Sequence, residues 1–504
     1  MKRIWKWLLL AVVAVTPWLR GLSYPFLYDD IGMIAENSFL EEPGHIVKVL
    51  SGWTLTQPQV INGRRPAVLA TYFLDRECHG LRPAGWRVTN LLLHLANAGL
   101  LAWLVRRLTG HSFMAAASGL LFALHPLVTE PVHAPGFRAD VLCLFFILAG
   151  AHLFWAEGTR ATWRRTASCG LLALALLAKE TAVAAPLLFA ALVFLFPAKS
   201  GAPSGRIFKW LAVTFVLAGV FFVLWVASPV ALQAAGHFWN GESLRFPETI
   251  FSAPALWTRT LRLLLVPWPL NVTPAFTPVT SLASLRFWVG VGWLVFCLWG
   301  IRRAYRAAPA LALGLLWALI FFLPVANLFP LLHPVADRYF YPIVPGFAIA
   351  VAWLLAQQTR AARAVGLAGL LAIYALLISV RLGQWASGER LWTAAYFQNS
   401  QSATAATWLG LLRDEAGDAE GAREFYQAAT KANPYAVEAW INWGAEEARA
   451  GNWAEAERLW RHAVKIRPDK ASGWSNLALC LEQLGRPDEA AQARERLKEI
   501  QTPP

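Results

Sequence analysis

Apolar runs recur along this chain from residue 4 to about residue 381, and then stop. A hydrocarbon layer of about 30 Å is crossed by roughly 20 apolar residues in helical form. Backbone polar groups in lipid must also be satisfied within the segment, which leaves helices or a closed barrel. The runs therefore dictate a bundle of membrane helices. Hydrophobic residues make up 57% of the 504 residues and charged residues only 15%, a balance that excludes a soluble enzyme over this region. The net charge is +14, but the excess lies in short loops between the runs. Arg106-Arg107, Arg164-Arg165, Lys199 with Arg206 and Lys209, Arg302-Arg303 with Arg306, and Arg360 with Arg363 mark cytoplasmic loops. This is not a nucleic-acid footprint. The cysteines show neither metal nor disulfide spacing.

These marks predict about eleven crossings, at roughly 4–22, 87–105, 112–124, 139–156, two within 168–197, 208–227, 286–301, 310–325, 340–356 and 364–381. The 168–197 run is flanked by basic residues on both sides, which requires an even number of crossings. Two short spans turning at Lys179-Glu180 satisfy it. Residues 251–270 carry Arg259 and Arg262 and finish in Pro267-Trp268-Pro269; they read as an interfacial or re-entrant helix. The amino end, Met1-Lys2-Arg3-Ile4-Trp5-Lys6, precedes an apolar run with no Ala-x-Ala site, so it reads as an uncleaved first span starting in the cytoplasm. An odd number of crossings puts the carboxyl tail on the outer side.

The tail repeats. Gly417, Gly451 and Gly485 are 34 residues apart, as are Ala422, Ala456 and Ala490. Pro434 and Pro468, Trp440 and Trp474, and Asn442 and Asn476 keep the same step. A period of this length, with small residues at helix crossings and Pro at the unit's end, marks tetratricopeptide repeats. About three units fall near 401–434, 435–468 and 469–502. Stacked helix pairs give either a concave peptide-binding surface or a spacer arm. The expected architecture is all-α: a membrane domain over 1–385, whose first outer loop is 23–86, and a repeat domain over 395–504.

Several charges collect on the outer side by this topology: Asp29, Asp30, Arg65, Glu130, Arg138, Asp140, Lys179, Glu180, Asp337 and Arg338. Charge beside hydrocarbon costs about 2.5–3.5 kcal/mol per group at a helix centre, so such groups tend to be functional. Acids and bases on one face suit a reaction on a phosphorylated lipid. A carboxylate deprotonates the acceptor, and fixed cations hold the phosphate and offset leaving-group charge. The bland reading makes Arg138/Asp140 and Asp337/Arg338 local pairs at helix ends, and Tyr24–Asp30 a solvated loop that stops the first helix. His94, His125 and His333 read as packed or interfacial residues; metal-ligand spacing is absent.

The chain resembles a known family on a set of ordered motifs. They are Tyr28-Asp29-Asp30 with Asn37, Arg64-Arg65-Pro66, Trp86-Arg87-Val88-Thr89-Asn90 with Leu93-His94, Ala123-Leu124-His125-Pro126 with Glu130, Arg138-Ala139-Asp140-Val141-Leu142, Ala178-Lys179-Glu180-Thr181, and Asp337-Arg338-Tyr339-Phe340-Tyr341. Their order and spacing resemble the transmembrane and tetratricopeptide-repeat O-mannosyltransferases and bacterial relatives, which are glycosyltransferases of the C-type fold (GT-C). The resemblance implies a polyprenyl-phosphate-sugar donor as co-substrate, a protein hydroxyl as acceptor, and no metal or other cofactor. It implies Asp29 or Asp30 as the base, with the choice open. It implies Arg338, Arg65 and Arg138 at the donor phosphate, and a cavity lined by Glu130, Asp140, His125, Lys179, Glu180 and Tyr339. The family's repeat array is usually longer than three units.

The expectation is thus a hexosyltransferase, with mannose as the probable sugar class, acting on Ser or Thr of an exported protein. Two alternatives stand beside it: the same chemistry on an envelope glycan or lipid, and a non-catalytic scaffold that recruits partners through its repeats. The many Trp, Arg and Ala residues fit a bacterial inner membrane with a periplasmic repeat domain.

Overall fold

The computed structural model describes residues 12–57, 59–155, 161–197, 205–227, 247–328, 331 and 333–501. The basic residues Lys2, Arg3, Lys6 and Lys199 and the first part of the amino-terminal run lie outside them. The described residues are helical, with no strand among them. The chain divides into two compact units. One holds the apolar helices and extends to Ala386; the other runs from Ser387 and takes in the stretch Asn271–Phe276.

In the apolar unit the segment before residue 83 carries α1 (His45–Leu50) and α2 (Pro66–His79). Next come α3 (Pro83–Thr109) and α4 (Ser112–Leu124), joined where Gly110 takes a left-handed φ of 72°. At His125-Pro126 the chain bends by 53° and continues into α5 (Thr129–His133). The proline cannot donate a backbone hydrogen bond, so the helix breaks there. α6 (Arg138–Phe154) follows, then α7 (Ala161–Ala178) and α8 (Ala185–Leu195).

The chain reverses between α7 and α8. The α-carbon of Gly150 on α6 faces Ser168 and Leu171, before the turn, and Phe189, after it. Phe154 stacks on Phe189 at 5.0 Å. Lys179 and Glu180 sit at that reversal, as the flanking charges require.

α9 (Gly205–Val226), α10 (Glu248–Leu265), α11 (Leu285–Ala307), α12 (Pro309–Phe322), α13 (Val344–Ala356) and α14 (Arg360–Gln384) complete the unit. α12 and α13 cross at Gly314 and Gly346. A Cβ on Gly314 would lie 2.7 Å from the Gly346 carbonyl, and one on Gly346 would lie 2.6 Å from that of Gly314. Small residues let membrane helices approach this closely.

Among the described residues, five helical stretches are long and apolar enough to cross a membrane: Pro83–Thr109, Pro135–Phe154, Gly205–Val226, Leu285–Ala307 and Arg360–Gln384. The bent pair Ser112–Leu124 with Pro126–His133 adds a sixth when taken as one span. Three shorter apolar stretches accompany them, Glu180–Leu195, Pro309–Val325 and Val344–Ala356.

One face of α3 is a polar ladder. Asn90, His94 and Asn97 follow a four-then-three spacing and are fully buried. His94 meets the Tyr341 hydroxyl at 2.9 Å and the Ala123 carbonyl at 3.1 Å. Asn97 donates to the Val141 carbonyl at 2.8 Å. Buried polar groups need such partners, and here they fix α3 against α4, α6 and the segment after Arg338.

The second unit begins with α15 (Gly388–Gln398). Three helix pairs follow: α16 (Ala403–Glu415) with α17 (Ala419–Ala432), α18 (Val437–Arg449) with α19 (Trp453–Ile466), and α20 (Ala471–Gln483) with α21 (Pro487–Gln501). Successive pairs start 34 residues apart. Gly417, Gly451 and Gly485 turn each pair with φ of 80°, 82° and 73°, which favours glycine over any residue with a Cβ. Ala422, Ala456 and Ala490 are fully buried at the crossings. Trp440 and Trp474 each donate to the carbonyl of the repeat's proline, Pro434 and Pro468, at 2.8 Å. Within this unit the 271–276 stretch is tied to α15: Asn271 donates to the Ala395 carbonyl, and Asn399 to that of Thr273, both at 3.0 Å.

Candidate active site

The segment that precedes Asp29 is pinned by Arg87 on α3. Its guanidinium donates to the carbonyls of His133 at 3.0 Å, Leu22 at 3.3 Å, Pro25 at 2.7 Å and Tyr24. Tyr28 then adopts a left-handed φ of 56°, a conformation bulky residues rarely take unless the surroundings impose it. Its ring rests edge-on against Phe137 at 5.8 Å.

The two acids that follow have different surroundings. Asp30 is fully buried, and one carboxylate oxygen accepts the Gly136 backbone N–H at 2.7 Å. Burial pushes its pKa up to about 7. Asp29 is partly exposed. Burial raises its pKa too, while the charges of Arg338 and then Arg65 hold it down. The cations that act on Asp29 are thus Arg338 and Arg65, whereas Arg87 acts on Asp30.

Arg338 follows α12 and precedes α13, in a single 3₁₀ turn, Asp337–Phe340. Its guanidinium donates to Glu130 on α5 at 2.9 Å, and its ring-facing side covers Phe137 at 4.4 Å. Tyr28 shares a side-chain hydrogen bond with it. The other oxygen of Glu130 lies 3.9 Å from Arg381, at the end of α14. Next to Arg338 the Tyr339 ring lies 5.5 Å from that guanidinium and 5.6 Å from the Lys179 ammonium. Lys179 pairs with Asp140 at 2.6 Å, and Arg65 meets both oxygens of Glu180 at 3.1 Å. Asp337 is paired with Arg259 on α10 at 2.8 Å.

The local-pair reading of Arg138/Asp140 and Asp337/Arg338 is thus overturned. Each partner comes from a distant stretch. Two of the expected site residues also stand apart. Arg138 is fully buried and pairs with Asp75. It also donates to Asn90 at 2.6 Å, to the Thr71 hydroxyl at 3.1 Å and to the Trp86 carbonyl at 3.3 Å. A guanidinium engaged on all sides is a strut between α2, α3 and α6, not a phosphate ligand. His125 is fully buried as well: one ring nitrogen accepts from the Leu127 N–H at 3.3 Å, and the other meets the Leu264 carbonyl at 3.0 Å. It fastens the bend after α4 to α10 rather than lining a cavity.

Arg381 was missing from the expected site, and Arg87 and Arg259, quoted in a motif and in the 251–270 run, had been given no role in it. Charge at or inside an apolar run was the available signal for Arg259 and Arg381.

Counting charge locates the surplus. Arg65–Glu180, Lys179–Asp140 and Arg259–Asp337 are each neutral. Arg338 and Arg381 share the single carboxylate of Glu130, which leaves one positive charge there beside the negative charge of Asp29. Both arginines are buried, Arg338 at 7% exposed and Arg381 at 3%. No group of His, Cys, Asp and Glu suited to a metal ion occurs among the described residues.

Two curated proteins are similar to this chain over most of its length. Protein O-mannosyl-transferase Tmtc3 of Drosophila melanogaster is 24% identical over 94% of this chain and 60% of its own length. Protein O-mannosyl-transferase TMTC4 of Homo sapiens is 26% identical over 78% of this chain and 61% of its own.

The chain is similar to TMTC O-mannosyltransferases over most of its length. It spans about 60% of the length of these TMTC relatives. The tetratricopeptide-repeat family model matches residues 378–437 and 441–502. The crystal structure of ArnT from Cupriavidus metallidurans in the apo state covers 95% of this chain and 81% of its own at 17% identity, with a TM-score of 0.44.

Proposed function

We propose that this protein is a membrane glycosyltransferase that moves a hexose, such as mannose, from a polyprenyl-phosphate carrier to a Ser or Thr hydroxyl of an exported protein. One observation carries the reading: a partly exposed carboxylate, Asp29, feels the charge of Arg338, which shares its one carboxylate, Glu130, with Arg381. Similarity to TMTC O-mannosyltransferases over most of the chain supports the same chemistry.

In this mechanism Asp29 takes the proton of the acceptor hydroxyl as its oxygen attacks the anomeric carbon. The bond between that carbon and the phosphate oxygen breaks, and the phosphate leaves on its lipid. Arg338 offsets the charge that grows on the leaving oxygen. Its neighbour Arg381 keeps Glu130 from cancelling it completely. Asp30 anchors the loop to Gly136 and so aims Asp29. The raised pKa of Asp29 suits a base that must be a stronger proton acceptor than a solvated carboxylate. A cytoplasmic membrane, with the site and the repeats on the outer side, fits a carrier lipid and an exported acceptor.

The test is sugar transfer in membranes supplied with polyprenyl-phosphate mannose, read by mass spectrometry of exported proteins. Wild-type protein adds hexose and Asp29→Asn does not. Full transfer by Asp29→Asn would remove the base and the reading with it.

A further inference from the structure

Besides Arg65–Glu180 the cluster holds three ion pairs. Lys179–Asp140 and Arg338–Glu130 have side chains no more than 8% exposed, and Arg259–Asp337 has 20% and 3%. Arg65–Glu180 differs: its side chains are 30% and 28% exposed. Exposed pairs contribute little to stability, so an open, two-point pair within an otherwise more buried cluster calls for another role. It is also electrically neutral, which makes it a poor phosphate ligand.

The pair keeps hydrogen-bonding capacity. A carboxylate has about four acceptor positions and a guanidinium five N–H donors, and the two bonds between Arg65 and Glu180 use only part of them. Adjacent hydroxyls of a pyranose match that arrangement: one donates to the carboxylate, and its neighbour accepts from the guanidinium. Beside the pair stands Tyr339, partly exposed, its ring within interaction range of Arg338 and Lys179. An aromatic face suits the C–H face of a sugar. Lys179, whose ammonium lies 5.6 Å from the ring, immediately precedes Glu180 in the chain, so the ring and the open pair are neighbours.

We infer that Arg65, Glu180 and Tyr339 form the subsite that reads the hydroxyls of the donor's sugar, while the phosphate is left to Arg338. The inference rests on the transferase reading above and assigns its substrate recognition.

The experiment compares two probes, undecaprenyl phosphate and undecaprenyl-phosphate mannose, binding to the full chain in nanodiscs. Wild-type protein binds the mannose-bearing lipid more tightly. Glu180→Gln lowers the preference for that lipid over the bare lipid by about tenfold or more, the scale of a lost hydrogen bond to a charged group. Arg338→Gln weakens both. Tyr339→Leu repeats the Glu180→Gln pattern, and decides the matter if Glu180→Gln fails to fold. Equal weakening of both lipids by Glu180→Gln, or no change for either, overturns the subsite. Wild-type protein that binds neither lipid overturns the transferase reading itself.

Discussion

Arg338 and Glu130, 208 residues apart in sequence, meet at 2.9 Å with both side chains almost wholly buried. A carboxylate shared by two arginines in a site of this kind is costly to bury. It is retained only where good geometry and further hydrogen bonds compensate. Here the arrangement leaves Arg338 with charge to spare toward an incoming phosphate. Replacing Arg338 by Ala leaves Glu130 short of a partner, so the variant should lose about 3–5 kcal/mol of stability, the usual penalty for breaking a buried pair. The double variant Arg338→Met with Glu130→Gln should recover much of the thermal stability and none of the sugar transfer. Thermal unfolding in detergent, run beside the transfer assay, checks both.

The acidic pair should separate cleanly. Asp29→Asn is expected to lower transfer by roughly 10²–10⁴-fold, the span of a positioned general base. Asp30→Asn keeps a carbonyl oxygen for the Gly136 N–H and should retain measurable turnover. Initial rates with polyprenyl-phosphate mannose distinguish them. Equal losses in both variants would contradict the division of roles.

Asp30 also predicts a pH dependence of stability. Its folded pKa is raised to about 7 by burial, so the native state binds this proton more tightly than the unfolded chain does. Its contribution is present below the ordinary carboxylate range and is lost as pH rises through about 7. Asp30→Asn should therefore melt higher than wild type at pH 8, with the difference shrinking toward pH 5. A constant difference across that range would contradict the assignment.

The repeats offer a local test. Gly451 has open space around its α-carbon but a φ of 82°. Gly451→Ala should cost about 1–2 kcal/mol through backbone strain alone. At Gly444, by contrast, an added Cβ would lie 2.6 Å from the Trp460 ring nitrogen, so Gly444→Val should disrupt the packing of α18 on α19. Limited proteolysis of the full chain reads the difference: Gly444→Val is cut within the repeats, and Gly451→Ala resists.

The elements that sequence reasoning found were those with a repeated or one-sided signal. The 34-residue step returns the same glycine, alanine and tryptophan to the same place, so the helix pairs and their turns were legible. Basic residues on both sides of the 168–197 run required a reversal, and Gly150 meets residues from both of its arms. Partner choice was not legible. Arg138 lies two residues from Asp140, yet side chains two apart on a helix point to different faces, and each finds its partner on another element. Asp29 and Asp30 are chemically alike, and only the Gly136 N–H and the depth of the loop tell them apart. Arg87 stood in a motif, but its role was hidden because its partners are backbone carbonyls, which no side-chain pattern announces.

The most direct measurement is a cryo-electron microscopy map of the full chain in a nanodisc with undecaprenyl-phosphate mannose. The account predicts phosphate density within hydrogen-bond distance of the Arg338 guanidinium, with the sugar's anomeric carbon turned toward Asp29. Phosphate density held elsewhere, with Arg338 closed on Glu130 and Asp29 out of reach of the sugar, would contradict it.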